Sequence, residues 1–253
     1  MRARICTSPA GLCALLFALA LPAAAQGPDP CRTVHHESHD YVVCEVDART
    51  HLFKLFWKGA DQKPLGYLGS LPEGSKAGDL RLVFATNAGM YHPDLTPVGL
   101  YVEGGQEIIK ANTNAGPGNF HLKPNGVFFI GPDGAGVLET GIFLKRRPKV
   151  EIATQSGPML VVDGRLHPKF TRHGASEKIR SGVGVREGTR VLFALSSTPV
   201  TFGAFARLFR DTLKTPNALF LDGSISSILT PKARYGQTFL PFGPMIGVYV
   251  KGR

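Results

Sequence analysis

Acidic residues are scarce in this sequence: 19 Asp and Glu stand against 29 Lys and Arg, a formal charge of +10. That shortage argues against a site built from clustered carboxylates, such as a metal-dependent nuclease or phosphatase. Cysteine is nearly absent, and the four present form no C-x-x-C pair that would hold zinc. No cofactor and no metal is expected. Long apolar runs are missing as well. Leu12–Leu21 is too short to span a bilayer, and no later stretch spans one. No G-x-S-x-G elbow marks a serine hydrolase. Repeats, low-complexity tracts and an interdomain linker are absent too, so residues 26–253 read as a single domain around one substantial core.

What is present begins with a processing signal. Arg2 and Arg4 precede the apolar Leu12–Leu21, and Ala23-Ala24-Ala25 supplies a small-residue cleavage site before Gln26. Residues 1–25 therefore read as a signal peptide, and the chain as exported, periplasmic or secreted, with no stable membrane insertion. Cys6 and Cys13 leave with the signal. Cys31 and Cys44 remain, and an isolated pair in an oxidising compartment predicts one disulfide. Loss of Arg2 and Arg4 leaves a charge of +8, which favours anionic partners such as phosphates, acidic glycans or a membrane surface. The basic residues are scattered rather than striped, and no nucleic-acid signature occurs, so nucleic acid is not an expected partner.

Strand signals dominate the chain. Tyr41–Val46 and His51–Trp57 read as a pair of strands, preceded by a polar arm whose His35, His36 and His39 are taken as solvated. Arg81–Ala85, a Val98–Val102/Gln106–Lys110 hairpin, Gly126–Ile130, Val137–Phe143, Lys149–Thr154, Met159–Val162, Ile179–Val185, Val191–Leu195, Ala218–Leu221 and Met245–Val250 follow. Ala111–Lys123 has no periodicity and suits a surface loop covering a site. One helix is clear: Thr201 is an N-cap, with Phe202, Phe205, Ala206, Phe209 and Leu213 at helical spacing before Pro216. The expected fold is α+β, a strand-rich mixed-sheet core with few helices, in a single domain.

Four strand ends place a polar residue beside glycine: Asn87–Tyr91, Ser156–Pro158, Arg180–Gly184 and Asp222–Ser227. If they converge, the pocket holds one carboxylate, one guanidinium, an amide and several hydroxyls. That set suits a sugar carrying phosphate, since guanidinium grips phosphate oxygens in a fork and amides and hydroxyls read the sugar.

In this order the segments N-A-G-M-Y, S-G-P-M-L-V, I-R-S-G-V-G and F-L-D-G-S-I-S-S resemble the phosphodiester glycosidase family, over about Arg81 to Val250. Ala88 stands where the family pattern has glycine, Ser224 and Ile225 replace two glycines in the Asp222-Gly223-Ser224-Ile225-Ser226 stretch, and Met90 stands where an aromatic is usual. The resemblance implies a hydrolase that cuts a sugar-1-phosphodiester at the anomeric carbon. Asp222 would then be base or nucleophile, Arg180 would neutralise phosphate, and Asn87 and Ser156 would position the sugar. Gly89, Gly157 and Gly223 would let backbone approach substrate, Ser224 would bond Asp222 or substrate, and His92, Asp94 or His121 would supply a second acid/base. The alternative is a non-catalytic binder of anionic cell-envelope polysaccharide. Either way the expected partner is a phosphorylated or anionic saccharide.

Overall fold

The structure, a computed structural model, describes residues 29–72, 80–170, 174, 176–223, 225–237 and 239–252. The expected signal segment and Ser224 lie outside the described residues. Three sheets form the domain. The largest has seven strands in the order β1 (Cys31–His36), β2 (His39–Asp47), β13 (Arg190–Ser196), β12 (Ser181–Arg186), β14 (Asn217–Asp222), β10 (Met159–Val162) and β11 (Arg165–Leu166). The second is ordered β16 (Arg234–Gly236), β15 (Ser227–Leu229), β4 (Leu80–Asn87), β17 (Met245–Lys251) and β3 (Leu52–Phe56). The third runs β6 (Gln106–Ile109), β5 (Tyr101–Glu103), β9 (Ile152–Ser156), β7 (Gly126–Gly131) and β8 (Gly134–Glu139).

The strand-rich, helix-poor expectation holds. The sheets are antiparallel rather than mixed: each ladder between the described strands runs antiparallel. Tight hairpins such as β1/β2, β7/β8 and β12/β13 impose this, because a short turn can only return the chain beside itself.

The three sheets share one core, and Phe193 stands at its centre. Its ring meets Phe84 of the second sheet edge-on at 5.6 Å and Phe128 of the third at 5.7 Å. Each such buried ring is worth about 2–3 kcal/mol of removed apolar surface. The outer face of the large sheet is covered by α2 (Phe202–Arg207) and the π-helical turn Leu208–Thr212 that continues it. Thr201 caps this helix as expected, its hydroxyl oxygen accepting from the Ala204 N–H at 3.1 Å, and Phe205 and Phe209 bury the stripe against Leu160, Leu192 and Phe220.

Three local expectations are corrected. Residues 41–46 and 51–57 do not pair with each other. Asp47 folds the turn between them by accepting from the Arg49 backbone at 2.9 Å, and the chain crosses from the first sheet (β2) to the second (β3). The polar arm is strand β1, in full register with β2 from Cys31↔Cys44 to His36↔His39, and closed by the expected Cys31–Cys44 disulfide. Its histidines are taken up singly, His35 by Asp40 and His36 by Thr212, and no group of three metal-ligating residues occurs among the described residues. The run expected as a strand at 137–143 splits after Glu139. The Glu139 carboxylate accepts from the Ile142 N–H at 2.9 Å and so caps a short helix, α1 (Thr140–Arg146).

Candidate active site

Strand β14 carries Ala218–Leu221 fully buried, and its last residue, Asp222, emerges at the wall of a cleft of about 390 Å³. Tyr91, His92, Asn119, Phe120 and His121 line the same cleft, so the β4 exit and the 111–123 loop supply its other walls. Asp222 is the one carboxylate among the lining residues. Burial pushes its pKa from 3.8 up to about 6, against the opposing pull of the Gly223 N–H, which donates to Oδ1 at 2.6 Å. Burial also raises the Tyr91 phenol, and the Asp222 charge adds to that rise.

The backbone under Asp222 is held by polar side chains at the seam between the first and second sheets. Ser181 stands opposite Asp222 in the β12–β14 ladder, and its Oγ lies 3.4 Å from the Asp222 carbonyl. Asn87, at the end of β4, donates from Nδ2 to Ser181 Oγ at 2.8 Å and accepts the Ser227 N–H at 3.2 Å. Ser226 Oγ sits 2.6 Å from the Gly223 carbonyl and 3.0 Å from Ser181 Oγ. Ser156 Oγ donates to the Leu221 carbonyl at 2.9 Å. These groups fix the strand end, as buried polar atoms must find partners.

The sequence-predicted residues therefore divide. Asp222, His92 and His121 converge on the cleft. Asn87 and Ser156, 1% and 0% exposed, are turned into the seam, where crossing strands satisfy their polar atoms, and neither lines the cleft. Arg180 is also 1% exposed and outside the lining: Nε donates to the Val200 carbonyl at 2.8 Å, Nη2 to the Ser176 carbonyl at 2.8 Å, and Cζ lies 3.6 Å from the Phe202 ring centre. Burial lowers its pKa to about 10. The glycines serve close packing. A Cβ on Gly89 would fall 2.2 Å from the Gln155 carbonyl oxygen, and one on Gly157 would fall 2.7 Å from the Phe120 carbonyl oxygen. Gly223 has room around it and contributes its N–H to Asp222. Asp94 caps its own turn through the Thr96 N–H and is not a lining residue.

Two positions escaped the sequence reading. Tyr91 closes the N-A-G-M-Y segment, and its hydroxyl donates to the Pro241 carbonyl at 2.9 Å, tying the cleft wall to the 237–242 loop. Gln155 bonds both the Asn112 N–H (2.9 Å) and its carbonyl (2.8 Å), which anchors the 111–123 loop over the cleft. Its place directly before Ser156-Gly157 was the available signal.

A cleft formed where antiparallel strands end and lined by one protonatable carboxyl and two imidazoles fits a hydrolase-type site for a polar ligand. The phosphodiester glycosidase family model matches residues 81–249. The chain is 33% identical over 238 residues to the uncharacterized protein YigE of Escherichia coli (strain K12), covering 94% of this chain and 89% of that one. The chain belongs to the phosphodiester glycosidase family. Two solved structures share the fold. A hypothetical protein from Synechocystis superposes with a TM-score of 0.58 at 13% identity, over 87% of this chain, which spans 61% of that protein's length. The catalytic domain of zebrafish N-acetylglucosamine-1-phosphodiester alpha-N-acetylglucosaminidase, auto-inhibited by its pro-peptide, superposes with a TM-score of 0.56 at 16% identity, over 88% of this chain and 82% of that one.

Proposed function

We propose that this chain is an exported hydrolase that cleaves a sugar-1-phosphodiester, with Asp222 at the reacting carbon. The observation that carries the reading is the placement of that lone carboxyl, with a pKa of about 6, at the wall of a cleft in a phosphodiester glycosidase fold. Near neutral pH it is an anion held close to its titration point, which is where a base or nucleophile works best. The bond from the anomeric carbon to the phosphate oxygen breaks, and its electron pair leaves with the phosphate. Asp222, or water activated by it, forms the new bond to carbon. A phosphate monoester departs readily, so the absence of a second carboxylate from the lining residues fits this chemistry better than an ordinary glycoside, which calls for two.

His92 and His121 line the cleft where phosphate or sugar would sit, and the neutral His121 ring, its Nδ1–H spent on the loop, presents Nε2 as an acceptor for a sugar hydroxyl. The His121 Nδ1 donates to the Asn114 carbonyl, 3.0 Å away, which sets the ring against the loop. Arg180 has no carboxylate partner among the described residues, so its charge remains uncompensated behind the site and favours an anionic ligand at longer range. Export is supported by the Cys31–Cys44 disulfide, which persists in an oxidising compartment. The test is release of phosphomonoester from a panel of synthetic sugar-1-phosphodiesters by the purified protein and by Asp222→Asn. Turnover by the first and not the second supports the reading. Equal turnover removes Asp222 from the chemistry, and saccharide binding with no turnover by either favours the polysaccharide-binding alternative.

A further inference from the structure

Seven large apolar side chains are exposed among the described residues, and three of them, Tyr67, Phe239 and Leu240, stand next to backbone that is tied to the cleft wall through Pro241 and the Gly66–Phe242 bridge. Phe239 is 87% exposed and Leu240 52%, which leaves much of their apolar surface in water. Both N–H groups donate to Gln237 Oε1, at 2.9 and 3.2 Å, so the pair is presented on a pinned turn. The next residue, Pro241, accepts the Tyr91 hydroxyl from the cleft wall. Phe242 then bridges to Gly66, and Gly66 is followed by Tyr67, 46% exposed. Hydrogen bonds thus tie the backbone of the apolar tip to the cleft rim.

Positive charge lies beside the tip. Arg234 Nη2 sits 3.5 Å from where a Cβ on Gly69 would be, two residues on from Tyr67. With Arg81 it walls a groove of about 580 Å³ lined by Leu68, Leu71, Leu82 and Leu229. Neither guanidinium has a hydrogen-bond or ion-pair partner among the described residues. Without Arg2 and Arg4 of the expected signal segment the chain still carries +8. We propose that this edge docks on an anionic lipid surface, with Phe239, Leu240 and Tyr67 entering the headgroup layer and Arg234 meeting lipid phosphates. Exposed aromatic and aliphatic tips beside a cation with no ion-pair partner among the described residues are the chemistry that such a surface selects. Resting on the function proposed above, the docked cleft opens beside the bilayer and takes a sugar phosphodiester whose leaving group is a lipid.

The experiment is co-sedimentation of the purified protein with vesicles of phosphatidylglycerol and phosphatidylcholine, against vesicles of phosphatidylcholine alone. The protein is expected to pellet with the anionic vesicles and to be released as salt rises. Phe239→Ser/Leu240→Ser is expected to lose at least about tenfold in partitioning, with unchanged melting because both side chains are exposed. Arg234→Gln is expected to weaken binding several-fold. Protein left in the supernatant with both vesicle types overturns the proposal. So does a double variant that binds as well as the parent, which would leave only diffuse charge attraction, or light scattering that shows the tip joining two copies of this chain. Asp222→Asn should bind vesicles like the parent, so this test succeeds or fails independently of the chemistry.

Discussion

Asp222 and Arg180 share one corner of the large sheet, since Ser181, the neighbour of Arg180, faces Asp222 across the β12–β14 ladder. Both are shifted toward neutrality by burial, Asp222 to about 6 and Arg180 to about 10. They differ in what their polar atoms do. The Arg180 Nε and Nη2 are spent on two backbone carbonyls, and its face is covered by Phe202. The Asp222 carboxylate takes one backbone N–H and meets the cleft. A charged group with its partners supplied inside is part of the scaffold. One left short of partners at an opening is available to a ligand.

The strongest way to break that contrast is Asp222→Asn, which should cost about 10²–10⁴ in turnover of a sugar-1-phosphodiester while leaving the protein folded. Arg180→Met should do the reverse. It keeps the stack on Phe202 but orphans the Val200 and Ser176 carbonyls, at a cost of about 2–4 kcal/mol in urea unfolding, with turnover changed less than tenfold. Turnover lost to the level of Asp222→Asn at undiminished stability would instead place Arg180 on the substrate.

The pH profile sharpens the comparison further. Activity that needs ionised Asp222 should fall about tenfold per pH unit below about 6 and level off above it. Stability should run the other way. The folded state binds the proton more tightly than the unfolded one, so the Asp222 contribution is greatest below 3.8 and is lost as pH rises through about 6. Asp222→Asn should remove both dependences. The smallest effect is expected for Ser181→Ala, about 1 kcal/mol in melting, because it frees one Asn87 donor in the seam.

Much of the fold was legible because its strands are short buried runs bounded by glycine and polar turns. What was missed has specific causes. Strand β1 is polar, and its pairing is supplied by β2 and the disulfide rather than by its own composition. Helix α1 follows β8 with no intervening loop, and the Glu139-Thr140-Gly141 break between two short apolar pairs was read through as one strand. At the site, a polar residue beside glycine correctly marked strand ends, but spacing does not encode which way a side chain turns. Asn87 and Ser156 turn into the seam, while His92 and His121 line one cleft from segments 29 positions apart in sequence.

Strand β1 is also the outer edge of the seven-stranded sheet, and among the described residues its only ladder partner is β2. The Cys31–Cys44 bond staples that border shut. Before the thiols are oxidised, fraying of β1 would bare the hydrogen-bonding row of β2 as a template for strands of other molecules. The newly made chain is therefore most prone to aggregation in a reducing environment, and oxidation protects it there as well as stabilising the fold.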